Sequence, residues 1–336
     1  MRNIRVVFAV LSLSVVLVAG VADELQAQEK RQGWTKRLRY RRELRRELQG
    51  EIQLSGAFAL YPMAVKWAEE FRKIHPKVRI DISAGGAGKG ITDALAKVVD
   101  LGMVSRDIYP QELEKGAFPI AVVKDAVVPT INSNNPLIDQ ILATGLKQQV
   151  AQDLWIHTTA RTWGDVLGTG STIPVHVYTR SDACGAAETF AAWLGAKQED
   201  LEGTAVFGDP GVTSVVQRDK VGIGFNNIAY AYDINSKKPY RHIAVIPLDL
   251  NGNGKIDPEE DFYATSTELN AAIAEGKYPS PPARNLFLVS NGKPMKPEVL
   301  AFLEFILTDG QQYAPELGYI GLSSDILEEE LFKLQE

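Results

Sequence analysis

Two segments of this chain pair a helix start with an arginine. Residues 80–91, Ile80-Asp-Ile-Ser-Ala-Gly-Gly-Ala-Gly-Lys-Gly-Ile91, read as an alternating apolar strand running into a glycine-rich turn that opens a helix. A second buried strand, Val98–Val104, then ends on Ser105-Arg106. The first N–H groups of a helix have no intrahelical acceptor and carry the positive end of its dipole, so such a turn is an anion cradle. An arginine at the next strand end supplies countercharge. The pattern recurs downstream. Ile173–Asp182 reads as a strand ending on Thr179-Arg180-Ser181-Asp182, and Cys184-Gly185-Ala186 leads into a helix over Ala186–Leu194. We expect Arg106 and Arg180 to carry the charge of one small anion from opposite lobes.

A second chemistry lies at Asp249-Leu-Asn-Gly-Asn-Gly-Lys-Ile-Asp-Pro-Glu-Glu260. Asp249, Asn251 and Asn253 occupy positions 1, 3 and 5 of a twelve-residue calcium loop, and Gly254 is the sharp turn at 6. Lys255 offers its carbonyl at 7, Ile256 is the apolar 8, Asp257 stands at 9 and Glu260 is the bidentate 12. The flanks do not read as helix–loop–helix, since Ile243–Leu248 looks like a strand. A rigid structural Ca2+ is therefore expected.

Cys184 is the one cysteine, so no internal disulfide is expected. A thiol beside Arg180 at a helix start is the pattern of a reactive cysteine. A secreted Cys-dependent hydrolase with His157, His176 or His242 as base is the enzymatic alternative. No spacing specifies a dyad, and Cys184 also reads as a small buried residue in the place of a serine. A binding protein without catalytic residues is the leading expectation.

Residues 1–27 read as an export signal, with Arg2 and Arg5 before the apolar run Val6–Val21 and small residues at its exit. A periplasmic, exported protein follows. Residues 28–50 hold nine Lys or Arg against three Glu, net +6, and read as a basic linker. From Glu51 onward the chain is net −12, which argues against nucleic acid as ligand.

Strand–helix–strand–helix alternation from Glu51 implies parallel sheet in an α/β domain, with ligands at the carboxyl ends of strands. Tyr61-Pro62 starts a helix striped by Ala64, Trp67, Ala68 and Phe71, and Ile91, Leu95 and Val98 stripe the next. Asp125–Asn132 leads out of this first unit, and Val221–Phe225 reads as a strand near the return crossing. Pro297–Thr308 reads as a late helix. The expected division places lobe 1 at 51–130 plus 235–336, including the 249–260 loop, and lobe 2 at 131–234.

Four segments together resemble the phosphate-binding extracytoplasmic solute receptors of ABC importers. They are Ser55–Pro62 with Trp67–Phe71, Gly85–Ile91 with Asp100–Arg106, Thr179–Gly185, and Ala301–Phe305 with Gly318–Leu322. The resemblance covers residues 51–325. It implies the type II periplasmic-binding-protein fold, with a ligand cleft between two α/β lobes joined by two crossing strands. It also implies a small anion as ligand, the membrane permease of an ABC importer as partner, and a monomer. A receptor that senses a carboxylate or other oxyanion and signals to a membrane partner is the alternative. Family members usually place hydroxyls where this chain has Ala57, Phe58, Ala59, Ala87, Cys184 and Ala186. A hydrogen bond to a charged group is worth about 1.5–3 kcal/mol, so phosphate is expected to bind more weakly here than in hydroxyl-rich relatives. The candidate ligand contacts are Ser105, Arg106, Arg180, Asp182, Cys184 and the amides of Ala57, Phe58, Ala59, Ala87, Gly88, Gly185 and Ala186.

Overall fold

The computed structural model describes residues 48–335. The expected export signal 1–27, and the 28–50 segment up to residue 47, lie outside the described residues. The first described strand begins at Gln49 rather than at Glu51.

The alternating unit forms as its periodicity dictates. Gln49–Gly56 (β1), Tyr61–Ile74 (α1), Lys77–Ala84 (β2), Ala87–Leu95 (α2) and Leu101–Val104 (β3) follow one another. β1 pairs in parallel with β2 on one side and β3 on the other. α1 buries Met63, Ala64, Trp67, Ala68 and Phe71, a stripe at helical spacing, with Pro62 tolerated in its first turn. The Trp67 indole N–H donates to the Gly310 carbonyl at 2.9 Å, tying α1 to the late part of the chain. α2 is shorter than its expected stripe. It ends at Leu95, the chain turns through Lys97 at φ 57°, and Val98 is 62 % exposed.

The glycines around α2 set how deeply the helix sits. Within the Gly85–Gly90 turn Gly86 alone has a positive φ, 88°. The rest of the requirement is close approach. A Cβ on Gly90 would overlap the Met103 carbonyl oxygen, and one on Gly102 would overlap the Gly90 carbonyl. Backbone thus lies against backbone, and the α2 N-terminus is brought down to the ends of β1 and β3.

Ala117–Asn132 (β4) is a strand of 16 residues shared by two sheets. Its first part, Ala117–Ala126, pairs antiparallel with Ala283–Asn291 (β9), with a register shift between Ala121 and Val123. Its second part pairs antiparallel with Gly222–Asn227 (β7) and Ile243–Val245 (β8). His176–Arg180 (β5) and Thr204–Val206 (β6) extend the second sheet in parallel from β7. The order is β2-β1-β3-β9-β4-β7-β5-β6, with β8 off this path on β4. β4 leaves the first lobe and β9 returns to it, so the fold has two lobes and two crossing strands.

The lobe boundaries differ from the expected ones. Ile246, Leu248, Phe262, Tyr263, Leu269 and Tyr278 share one core with Trp155, Trp163 and Phe190. Residues 243–278, placed in lobe 1 by the sequence, therefore pack in lobe 2, and the 249–260 loop goes with them. The return crossing is β9, not a connection near the expected Val221–Phe225 strand. β8 is only three residues long, too short for its pairing with the far end of β4 to leave a pattern.

Gly90→Ala is expected to destabilise the protein by about 1–3 kcal/mol, because the helix must lift off β3. Denaturant unfolding measures this, and a midpoint equal to wild type would show that the contact is slack.

Candidate functional site

Arg180 ends β5 and is 5 % exposed. Its Nε and Nη2 donate to Asp182 Oδ1 and Oδ2 at 2.9 and 2.7 Å, and its Nη1 donates to Asp209 Oδ2 at 2.7 Å. Asp209 lies in the first turn of the helix Gly208–Arg218. Burial works against the arginine's charge, but Asp209 and the other nearby acidic groups more than offset it and its pKa is raised. A guanidinium carries five N–H groups, so one each on Nη1 and Nη2 remains for a ligand. Asp182 Oδ1 also accepts the Gly208 N–H at 3.0 Å. Asp209 Oδ1 accepts the Asn227 backbone and side-chain N–H groups at 3.1 and 2.8 Å. Two carboxylates thus hold one guanidinium rigidly at the strand end.

The helix Gly185–Trp193 starts beside this cluster. Cys184 is its N-cap, with Sγ accepting the Ala187 N–H at 3.4 Å. Gly185 and Ala186 supply first-turn amides with no intrahelical acceptor. The first lobe closes on this end directly. The Gly88 N–H donates to the Ala183 carbonyl at 3.1 Å. A Cβ on Gly185 would overlap Ser105. The Phe58 ring stands 5.9 Å from the Arg180 guanidinium and meets Phe207 edge-on, while Tyr230 Oη donates to the Phe58 carbonyl at 3.1 Å. Phe58, Ser105 and the Gly86–Gly88 turn, which carries Ala87, therefore lie against the segment from Arg180 to Ala186. Two expected donors are otherwise engaged. The Ala57 N–H donates to the Met103 carbonyl at 2.8 Å, and the Gly88 amide is held by Ala183. Ala59 offers its carbonyl to Tyr319 Oη at 2.6 Å.

Arg106 does not meet Arg180. Its Nη1 and Nη2 donate to Glu112 Oε2 and Oε1 at 2.9 and 2.7 Å, and its guanidinium lies 4.0 Å over the Tyr109 ring. Glu112 belongs to the short helix Pro110–Glu114. A bidentate carboxylate and an aromatic face six and three residues along outcompete the cleft for this fork. Tyr109 Oη in turn donates to Glu188 on the opposite lobe's helix. Arg106 thus braces a lip-to-lip latch rather than facing the Arg180 cluster.

Sequence reasoning passed over Asp125, Asp209, Asn227 and Arg284. Asp125 and Arg284 are direct cross-strand partners on β4 and β9. Arg284 is the one charge in β9, a signal that could have marked it, whereas Asp125 stands next to Lys124 in β4. Burial pushes the Asp125 carboxyl up to about 7, against the opposing pull of Arg284.

The hydrolase alternative finds no dyad. His157 sits on Asp153, His176 on Asp219 and His242 on Asn134. His75 lies against the Phe71 ring. Burial pushes the Cys184 thiol up to about 12, so the neighbouring Arg180 does not make it a thiolate.

In the 249–260 loop Asp249 Oδ1 and Oδ2 accept the Gly252 and Gly254 N–H groups, each at 2.7 Å. Glu260 Oε1 accepts from Leu250 and Asn251, and its Oε2 from Asp257. Asn251 and Asn253 turn their carbonyl oxygens onto the Asn253 and Lys255 amides. Lys255, then the Asn251 and Asn253 amides, hold the Asp257 carboxyl down at about 2. The Lys147 ammonium stands 3.9 Å from Asp249 Oδ2. Among the described residues no three His, Cys, Asp or Glu side chains converge into a metal cage. The loop offers amide and main-chain oxygens beside its carboxylates, the donor set of hard-cation loops.

Tyr109→Phe is expected to lower hydrogen-exchange protection of the Gly88 amide about tenfold, since it removes a bond to a charged acceptor worth about 1.5 kcal/mol. Unchanged protection at Gly88 would mean that the latch does not hold the lips.

Comparison with known proteins agrees with this geometry. The family profile described as PBP superfamily domain matches residues 43–310. Protein SphX of Synechococcus elongatus is 28 % identical over 279 residues, covering 81 % of this chain and 77 % of the relative. The phosphate-binding protein PstS of Pseudomonas aeruginosa is 27 % identical over 311 residues, covering 85 % and 87 %. Among solved structures, a putative phosphate ABC transporter substrate-binding protein with bound phosphate from Clostridium perfringens superposes with a TM-score of 0.66 at 22 % identity, over 82 % of this chain and 100 % of that one. The fold is thus shared with that structure, and the chain belongs to the PBP superfamily.

Proposed function

We propose that this protein is an exported receptor that captures a small oxyanion, phosphate first among the candidates, and delivers it to the permease of an ABC importer. The observation that carries this is the Arg180–Asp182 pair at the end of β5, set beside the free first-turn amides of the Gly185–Trp193 helix and faced by the Gly86–Gly88 turn. A buried guanidinium with two N–H groups to spare and a helix N-terminus supply donors suited to a tetrahedral oxyanion. The relatives named as phosphate-binding proteins support the choice of ligand. Export rests on the signal-type pattern of residues 1–27, and among the described residues no helix is long and apolar enough to cross a membrane.

Calorimetry with inorganic phosphate, sulfate and simple carboxylates tests this reading. Phosphate is expected to bind, and Arg180→Lys to weaken it at least tenfold, since an ammonium cannot hold both aspartates and the ligand. A wild-type protein that takes up none of these anions would overturn the proposal.

We infer further that the 249–260 loop binds calcium as a structural ion, held by Asp249, Asn251, Asn253, the Lys255 carbonyl, Asp257 and Glu260. Calcium at a hundredfold over its dissociation constant would stabilise the fold by about 2.7 kcal/mol. EDTA is expected to lower the melting temperature, and Glu260→Ala to erase that difference. Identical melting curves in EDTA and in millimolar calcium would reduce the loop to an ordinary turn.

A further inference from the structure

The described residues include eight buried side-chain polar atoms without a hydrogen-bond partner, and four of them belong to one cross-strand pair on the crossing strands, Asp125 and Arg284. Asp125 is 1 % and Arg284 8 % exposed. β4–β9 register sets them opposite each other. Arg284 Nη2 lies 3.8 Å from Asp125 Oδ2, an ion-pair distance too long for a hydrogen bond. The same Nη2 donates to Asn227 Oδ1. Arg284 Nε and Nη1 have no acceptor.

Asn227 connects this arginine to the cluster already described. Its side-chain amide donates to Asp209 Oδ1 at 2.8 Å, and Asp209 Oδ2 accepts Arg180 Nη1 at 2.7 Å. Two buried guanidiniums are therefore joined through two residues, one at the end of β5 and one on the crossing strand β9. Burial weighs against the Arg284 charge, and Asp125 first and Asp209 next pull the other way. A buried N–H without an acceptor is costly, and more so when it carries charge. Asp125 cannot relieve it, since its oxygens stand beyond hydrogen-bond reach, and Asn227 takes one donor only. Asp125 answers the charge across 3.8 Å but leaves Nε and Nη1 without acceptors, and the oxygens of a compact oxyanion would supply them.

We propose that Arg284, on the returning strand β9, is an anion-binding residue of the cleft floor, donating to an oxygen of the same oxyanion that Arg180 holds. The proposal rests on the oxyanion reading above and names its second cation, the role the sequence gave to Arg106. The ligand class is a compact oxyanion able to reach both guanidiniums at once.

The test is calorimetry with inorganic phosphate on the full chain. Arg284→Gln alone leaves Asp125 buried and unpaired, so Asp125→Asn/Arg284→Gln, which removes both charges together, is the deciding variant. The expected result is phosphate affinity at least tenfold below wild type in both variants, with the double variant melting close to wild type. Phosphate affinity within twofold of wild type in the double variant would overturn the proposal, because Arg284 would then serve only to neutralise Asp125. Where the neutral variants do not fold, Arg284→Lys decides. It keeps the charge and loses the planar fork, and a loss of threefold or more is expected, unchanged affinity overturning the assignment. A wild-type protein that binds no phosphate would instead sink the oxyanion reading itself, and this proposal with it.

Discussion

One strand belongs to both lobes, and the rest of the molecule is arranged around that fact. β4 pairs with β9 along Ala117–Ala126 and with β7 and β8 along Val127–Asn132. Its backbone is hydrogen-bonded on both sides of the junction, so the lobes are joined by a twisted ribbon and not by a loose linker. Such a ribbon bends where its ladder is already irregular, and the register shift between Ala121 and Val123 is that place. The cleft inherits its rigidity from this ribbon. Asp125 and Arg284 sit on the ribbon itself, Asp209 and Asn227 rest on it through β7, and Arg180 is one strand further out.

Charge is handled differently at the rim and in the floor. Arg106 is satisfied locally by Glu112 and Tyr109 and keeps some contact with water. Arg180 is enclosed, and two carboxylates fix it. Removing a charge pair from water costs several kcal/mol per ion unless geometry and further hydrogen bonds repay it. At Arg180 further hydrogen bonds come from Gly208 to the Asp182 Oδ1 that Arg180 also holds, and from Asn227 to the far oxygen of Asp209. The hydroxyls missing at Ala57, Ala87 and Ala186 leave main-chain and guanidinium N–H groups as the donors of this cleft.

Much of this was legible in the sequence because it is local. The stripe of α1, the glycine turn before α2, and the strand ending on Arg180-Ser181-Asp182 are each decided within about ten residues. What the sequence hid is set by distant pairing. Asp209 stands 29 residues from Arg180 and reaches it because Gly208–Arg218 packs back onto β7. Asp125 and Arg284 meet through strand register alone. Arg106 failed for the opposite reason. Its true partner is close in sequence, but a five-residue helix gives no periodicity to announce Glu112.

The Gly88–Ala183 hydrogen bond has a consequence for selectivity between full and empty states. It joins a donor of one lip to an acceptor of the other with no third party between them. Two lips that satisfy each other lower the free energy of the shut form for any occupant, or for none. A solute then gains from closure only what it adds beyond this self-recognition, and its apparent affinity is scaled by the fraction of molecules standing open to receive it. The latch at Tyr109 and Glu188 deepens the same bias. A downstream partner reading shape alone would therefore see a signal with a raised background, and the contrast between loaded and unloaded receptor rests on the few buried donors that the lips leave unanswered.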